Sequence, residues 1–395
     1  MNSQAIMDLE FVNNEIYVEV SYNLDHDNNE FIFSINSLLE IDSIESETKK
    51  LSWYKNKDYE PIFRAKAQEI IVKSDTDFET LKIKYHGKIS GYFNIIEENR
   101  KALSFYSVWY PQETNTQMSD VLIRIHNLSN HFVLKADFDG DQKIWTYGDK
   151  GYDGGNIIAL KKDNYYVSSE GIFDFYYLSD EEAEAGQYLK YYFKDVLDFY
   201  QNKLYRPKEI AKMDMVSLLM PEASGAYYRK ELIVLSRILS EDCPSHTLRV
   251  NLATMVAHEV AHNWCNGADC DTWDDWLNET TAEWSSLLYA LYKDDTELFD
   301  HILDWKLKNY KKAPVIKTSD GIRPTIGVHD RGTILFYEIY KKYNKDILME
   351  MLRTFVFLKE KSTNAYLIEL KKNLGEEIAY VVERGLSLET YENML

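Results

Sequence analysis

The residues best suited to do chemistry are two histidines and a glutamate in the second half of the chain. Residues 256–264 read Val-Ala-His-Glu-Val-Ala-His-Asn-Trp, so His258 and Glu259 are followed by His262. Residues four apart on an α-helix lie on one face. Both imidazoles can therefore bind one zinc ion, with Glu259 facing a zinc-activated water. The pattern predicts metal-assisted hydrolysis with Glu259 as the general base.

A downstream carboxylate completes the predicted metal site. Glu279 follows His262 by 17 positions, which is enough chain to end one helix and return on a second. Two imidazoles and one carboxylate leave the fourth zinc position open, as in catalytic sites. Glu283, one helical turn further on, either accepts the outer N–H of His258 or is an ordinary exposed glutamate. We therefore expect one zinc ion per chain, held by His258, His262 and Glu279.

The two cysteines after the second histidine offer an alternative ligand set. Cys265 and Cys270 lie in the predicted loop beyond His262, and a site of two histidines and two cysteines would be structural. Because Glu279 is present, we favour the carboxylate. The chain has three cysteines, and a count this low and odd does not indicate a disulfide framework.

The segments that must position these residues are mostly helical. From Ser245 onwards the pattern favours helices, with an apolar stripe formed by Leu248, Leu252, Met255, Val256 and Val260. A further helix is predicted over residues 184–200, with Ser179 as its N-cap and Glu182 as the capping-box partner. Residues 213–219 and 231–235 are predicted strands.

The N-terminal part of the chain has a different periodicity. Residues 9–12, 15–20, 31–35, 81–85 and 121–125 alternate or nearly alternate apolar and polar residues, separated by Asn, Asp and Gly clusters. Short strands at such spacing favour an antiparallel β-sandwich. The predicted fold class is therefore α+β with more than one domain. It has a β-rich domain over residues 1–178 and a mostly helical catalytic domain over residues 179–395.

The composition of the chain limits the classes of partner that it can bind. The net charge of −20 disfavours a nucleic-acid partner, because so acidic a chain repels phosphate backbones. No apolar run approaches the ~18 residues of a membrane span, and no signal peptide is visible at the N-terminus. These features predict a cytoplasmic protein that is not inserted in a membrane and acts on a peptide substrate. The oligomeric state is left open.

The motifs resemble those of a known family. His258-Glu-Val-Ala-His-Asn-Trp264 followed by Trp276-Leu-Asn-Glu279 is similar to the aminopeptidase N family of zinc metallopeptidases, in the thermolysin-like gluzincin group. The spacing of Glu279 and Glu283 is closer to the thermolysin pattern. The resemblance covers roughly residues 180–340 and implies a thermolysin-like catalytic domain behind a β-sandwich. The family's large helical C-terminal domain is expected to be absent.

Two family motifs are altered here. Gly225-Ala-Tyr-Tyr-Arg229 occupies the place of the family's Gly-Ala-Met-Glu-Asn segment, so the resemblance implies substrate binding by Gly225, Ala226 and Tyr228. Tyr228 replaces the glutamate that holds the substrate's amino group. His329 stands where the family has an oxyanion-stabilising tyrosine, and an imidazole can also donate to an oxyanion. Asp330 and Arg331 are weaker candidates for that role.

Three functions are compatible with these motifs. The first is a zinc metallopeptidase of aminopeptidase type. The second is an endopeptidase or dedicated processing protease, which Tyr228 favours. The third is an inactive, metal-stabilised peptide-binding protein. The presence of Glu259 argues against this function, because zinc binding alone does not require Glu259.

Overall fold

The computed structural model describes residues 4–47, 49–61, 64–89, 93–113, 120–147, 155–205, 209–210, 212–218, 225–229, 231–235 and 245–391. The chain forms two compact units. The β unit comprises Met1–Ser168, Tyr176–Ser179 and Asp214–Ser224, and the helical unit comprises Ser169–Phe175, Asp180–Met213 and Gly225–Leu395. The predicted domain boundary at residue 178 stays a prediction.

The described strands are concentrated in the first half of the chain. They are β1 (Gln4–Val12), β2 (Glu15–Asn36), β3 (Glu40–Glu45), β4 (Ser52–Tyr59), β5 (Ala67–Gly87), β6 (Ile95–Ile96), β7 (Arg100–Leu103), β8 (Gln112–Glu113), β9 (Asp120–Ile125), β10 (His131–Val133), β11 (Asp137–Asp139), β12 (Ile144–Tyr147), β13 (Ile157–Lys161), β14 (Tyr166–Glu170), β15 (Phe173–Tyr177), β16 (Met213–Ser217), β17 (Ala226–Arg229) and β18 (Leu232–Leu235).

The β unit contains the expected sandwich. Its larger sheet follows the order β11-β12-β9-β1-β2-β5-β3, with β4 on β5 and β8 on β2, and a smaller sheet follows the order β10-β13-β7-β6. One hydrophobic core joins residues of both sheets, including Val18, Ile83, Leu103 and Ile157. Alternating side chains of each strand supply this core. The predicted α+β class with a β-rich N-terminal region is confirmed.

The larger sheet departs from the predicted antiparallel pattern at one pair. Strands β1 and β9 run parallel, with Gln4 opposite Asp120 and Leu9 opposite Ile125. Alternation along a strand predicts which face is buried but carries no information on the direction of its neighbour. The long connection between β1 and β9 allows a parallel pair, which a short hairpin turn does not.

The described α-helices all lie after the β-rich region, from Asp180 onwards. They are α1 (Asp180–Phe199), α2 (Ser245–Ala261), α3 (Trp276–Tyr292), α4 (Thr296–Asn309), α5 (Val328–Tyr343), α6 (Lys345–Phe357), α7 (Thr363–Leu374) and α8 (Glu376–Gly385). A π-helical turn, Tyr200–Leu204, follows α1, and short 3₁₀ turns lie at Trp273–Asp275 and Tyr310–Lys312. In the part of the chain that is described, none of the helices has both the length and the apolar character that crossing a membrane requires.

Helix α3 is buried on every side, which is unusual for a helix with so many polar residues. Two of its hydroxyls donate within the helix: Thr281 donates to the Leu277 carbonyl at 2.6 Å and Ser285 to the Thr281 carbonyl at 2.6 Å. Gly332 of α5 packs directly on Thr280, where a Cβ atom would lie only 1.7 Å from the threonine hydroxyl. The glycine therefore allows α5 to approach α3 at the point where both carry candidate site residues.

Candidate metal centre

The two histidines of the His-Glu-x-x-His motif lie at the C-terminal end of α2. His258 is inside the helix, whereas His262 is the first residue after it. The backbone tightens there, because the His262 amide donates to the Glu259 carbonyl at 3.2 Å. This turn keeps both rings on one side, with their centroids 4.9 Å apart. The expected shared face is therefore present, although the second histidine is not helical.

Three candidate ligand atoms converge at one point of the helical unit. His258 Nε2 lies 3.2 Å from His262 Nε2, and Glu279 Oε2 lies 3.3 Å from the first and 3.7 Å from the second. A tetrahedral zinc ion with bonds of about 2.0–2.1 Å requires ligand atoms about 3.3 Å apart. The three separations are close to this value, so the donor set fits a single zinc ion.

The Glu279 carboxylate supports the same conclusion. Within the described residues, its buried Oε2 has no hydrogen-bond partner, although imidazole nitrogens of His258, His262 and His329 all lie nearby. A buried carboxylate oxygen normally accepts a hydrogen bond, since leaving it unsatisfied is costly. An atom that faces several nitrogens without a hydrogen bond is suited to binding a cation.

The outer nitrogens of both histidines face oxygen atoms that can accept a hydrogen bond. His258 Nδ1 lies 3.1 Å from Glu283 Oε2, and His262 Nδ1 lies 2.9 Å from the Cys265 carbonyl oxygen. A proton on each Nδ1 leaves both Nε2 atoms free to bind a metal. Glu283 is only 4% exposed, so the structure places it at the histidine rather than in solvent.

Glu259 is a buried carboxylate beside the candidate ligands. Burial raises the pKa of Glu259, His258 and His262 oppose this increase, and Glu279 adds to it. A raised pKa brings a carboxylate nearer to the value that suits a general base at neutral pH. The environment of Glu259 is therefore compatible with proton transfer.

His329 lies at the start of α5, on the open side of the cluster. Its Nδ1 is 3.2 Å from Glu279 Oε2, and its ring centroid is 5.6 Å from that of His258. His329 shares a second possible ligand set with His258 and Glu283, and 42% of its side chain is exposed. Loss of hydration, partly offset by Glu279, lowers the pKa of His329. Its exposure places it at the edge of the site.

Asp330 and Arg331, the weaker candidates for oxyanion stabilisation, contact other groups. Arg331 donates to the carbonyl oxygens of Ala313, Leu388 and Glu389 at 2.9–3.0 Å, so its guanidinium joins α5 to the C-terminal segment. Asp330 lies 3.8 Å from the Lys306 ammonium. These contacts give both residues structural roles.

The segment at Gly225 reaches the site through Tyr228. The Tyr228 hydroxyl donates to Asn263 Oδ1 at 2.8 Å, and its ring is stacked on that of His262 with centroids 6.5 Å apart. Gly225, which has a φ of +124°, and Ala226 begin the β17 segment that carries Tyr228. Strand β17 pairs antiparallel with β18, which places Tyr228 opposite Ile233.

The cysteine alternative is not supported by the geometry. The buried Cys265 thiol lies 3.1 Å from the Tyr205 hydroxyl and 3.7 Å from the Ser285 hydroxyl, while Cys270 faces the Ala268 carbonyl. Among the residues that the structure describes, no possible ligand set includes a cysteine.

A buried ion pair anchors the loop between the two ligand-bearing helices. Asp275, at the start of α3, pairs with Arg323 and accepts a hydrogen bond of 2.8 Å from Asn278. Asn278 in turn accepts from the Ala268 amide at 3.1 Å. These contacts tie the loop after His262 to the helix that carries Glu279.

We expect Arg323→Met to lower the free energy of unfolding by about 3–5 kcal/mol, because it leaves Asp275 as an unpaired buried charge. Arg384→Met is the matched control, since Arg384 is exposed on α8, and we expect a change within about 0.5 kcal/mol. Chemical denaturation of both variants measures the difference. A similar stability for the two variants would refute the role of the ion pair.

Sequence reasoning missed one charged residue of the site. Lys306 of α4 is 8% exposed, and its ammonium lies 3.0 Å from Glu283 Oε2. A signal was present, because Ile302 and Leu303, four and three positions earlier, place residue 306 on the apolar face of the helix.

The family comparison agrees with the motifs. Residues 191–374 match the model of the peptidase family M1 domain. Aminopeptidase M1 of Arabidopsis thaliana is 28% identical over 171 residues, which is 41% of this chain and 19% of that protein. Probable aminopeptidase 1 of Sulfurisphaera tokodaii is 24% identical over 302 residues, which is 66% of this chain and 35% of that protein. The chain thus covers between a fifth and about a third of these relatives.

Solved structures share the fold. An M1 zinc metallopeptidase from Deinococcus radiodurans aligns with a TM-score of 0.62 at 13% identity, over 99% of this chain and 93% of that one. Native leukotriene A4 hydrolase from Saccharomyces cerevisiae aligns with a TM-score of 0.65 at 11% identity, over 96% of this chain and 66% of that one. At these identities the likeness concerns the fold.

Proposed function

Because the chain belongs to the aminopeptidase N-like M1 peptidase family, we propose that it is a zinc-dependent peptidase that cleaves peptide bonds at the centre formed by α2, α3 and α5. The observation that carries the proposal is the convergence of His258, His262 and Glu279 at the separations that tetrahedral zinc requires. His258, His262 and Glu279 would hold the ion. When bound, zinc supplies a Lewis acid that polarises the scissile carbonyl and acidifies water.

The protein's own residues supply the proton transfers. Glu259, whose pKa burial raises, takes a proton from the attacking water and delivers it to the leaving amine. His329, at the open edge of the cluster, donates an N–H to the carbonyl oxygen as negative charge develops there. Glu283 keeps the proton of His258 on Nδ1, 3.1 Å from its own oxygen, so that Nε2 keeps its lone pair.

Tyr228 favours a second candidate, cleavage within a peptide. An α-ammonium group is best held by a carboxylate, whereas Tyr228 offers a neutral hydroxyl that already donates to Asn263 at 2.8 Å. Arg229, next in the chain, adds a positive charge that would repel an ammonium group. An aminopeptidase is supported by the relatives, and an endopeptidase by these two residues.

The test is digestion of a mixed peptide library in which each sequence is present with a free and with an acetylated N-terminus. We expect cleavage that stops on treatment with a zinc chelator and returns on adding zinc but not magnesium. Stepwise loss of residues from free N-termini only would support the aminopeptidase, and equal cutting of acetylated peptides would support the endopeptidase. Zinc binding without cleavage of any peptide would point to the inactive binding protein.

A further inference from the structure

Lys306 is a buried cation beside the candidate metal centre. It lies on α4, its side chain is 11% exposed, and its ammonium contacts Glu283 Oε2 at 3.0 Å and Asp330 Oδ1 at 3.8 Å. Burying a lysine without a partner is costly, and removing one member of a buried pair leaves the other charge uncompensated. The position therefore serves to neutralise acidic groups of α3 and α5.

The same carboxylate oxygen of Glu283 faces two groups. Oε2 lies 3.0 Å from the Lys306 ammonium and 3.1 Å from His258 Nδ1. The three groups form a chain from α4 through α3 to α2, with the carboxylate in the middle. The Lys306 ammonium attracts the Glu283 carboxylate at this distance and restrains its position.

A Glu283 carboxylate that Lys306 holds in place has a direct consequence for His258. A carboxylate that only accepts hydrogen bonds requires the proton of the imidazole to be on Nδ1. The other nitrogen, Nε2, then presents its lone pair toward Glu279 Oε2 and His262 Nε2, 3.3 and 3.2 Å away. A carboxylate without its ammonium partner would be freer to rotate, and it would then orient the ring less well.

We propose that Lys306 is a positioning residue for the metal centre, which acts through Glu283 to hold the His258 ring in the orientation and tautomer that bind zinc. The inference rests on the proposed zinc site, but not on peptide cleavage. Helix α4 thus contributes to metal binding through Lys306, although it supplies none of the proposed ligands.

The test is zinc affinity, measured in the full-length protein by competition with a chromophoric chelator. We expect Lys306→Met to weaken zinc binding about tenfold, at the lower end of the effect of losing an outer partner of a ligand. Lys306→Arg, which keeps the charge, should recover most of the affinity. Lys308→Met is the matched control, because Lys308 lies on the same helix with an exposed side chain, and its zinc affinity should equal that of the wild type.

A double mutant separates positioning from general destabilisation. If Lys306 acts through Glu283, then adding Lys306→Met to Glu283→Gln should weaken zinc binding by less than twofold beyond Glu283→Gln alone. If the losses of zinc affinity in the two single mutants multiply in the double mutant, the proposal is overturned. A Lys306→Met variant whose zinc affinity is within twofold of the wild type would also overturn it, as would a Lys306→Arg variant that binds zinc as weakly as Lys306→Met. A wild type that binds no zinc would overturn the proposed function together with this role, whereas zinc binding without peptide cleavage leaves the test of Lys306 intact.

Discussion

Glu259→Gln is expected to lower kcat by about 10²–10⁴-fold while the protein still binds one zinc ion per chain. The amide has nearly the shape of the carboxylate but cannot accept a proton from water. The three proposed ligand atoms belong to other residues, so the metal should remain. Steady-state cleavage of a fluorogenic peptide and metal analysis of the same preparation measure the two quantities.

Glu383→Gln is the matched control for this experiment. Glu383 lies on α8 with an exposed side chain, so the same loss of a negative charge there should leave kcat unchanged. A Glu259→Gln variant that cuts as fast as the wild type would exclude Glu259 as the base. Loss of zinc from this variant would instead show that the glutamate is needed for the metal, which the proposal does not allow.

The local parts of the site could be predicted because they depend on short spacings. His258 and His262 are four positions apart, as are Glu279 and Glu283. On a helix this spacing puts both members of a pair on one face, independently of how the rest of the chain folds. Glu283 Oε2 lies 3.1 Å from His258 Nδ1, which agrees with one of the two alternatives that its spacing left open. The assignment of these residues as zinc ligands stays a prediction, supported by their geometry.

The parts that were missed depend on contacts between distant segments. Asp275 and Arg323 are 48 positions apart, and nothing in either neighbourhood identifies the other as its partner. The alternation of apolar and polar residues likewise does not predict that β1 pairs in parallel with β9, because it does not identify the neighbouring strand. The helical phase of Lys306 puts it on the apolar face of α4 but does not identify its carboxylate partner, which is 23 positions away on another helix.

Gly332 shows how packing between helices brings residues that are distant in the sequence together at the site. Its α carbon lies against Thr280, the residue after the proposed ligand Glu279, and His329 is three positions before it on α5. The close approach of the two helices thus brings His329 near Glu279, with His329 Nδ1 lying 3.2 Å from Glu279 Oε2. The sequence shows that a glycine lies in this helix, but it does not identify the helix against which the glycine packs.

The second large effect concerns the carboxylate ligand. We expect Glu279→Gln to weaken zinc binding by more than the about 10–100-fold that loss of an outer partner costs, and to abolish cleavage at ordinary zinc concentrations. The amide keeps the size of the side chain but removes the negative charge that attracts the cation. Chelator competition measures the affinity, and activity should return in part at high zinc.

Glu283→Gln supplies the matched comparison for Glu279→Gln, because it changes the same residue type one turn further along α3. It should retain zinc, with an affinity between those of the wild type and Glu279→Gln. The order of the three affinities thus distinguishes a residue that binds the metal from one that orients a ligand. Equal zinc affinity in Glu279→Gln and the wild type would remove Glu279 from the metal site, and with it the open fourth position on which hydrolysis depends.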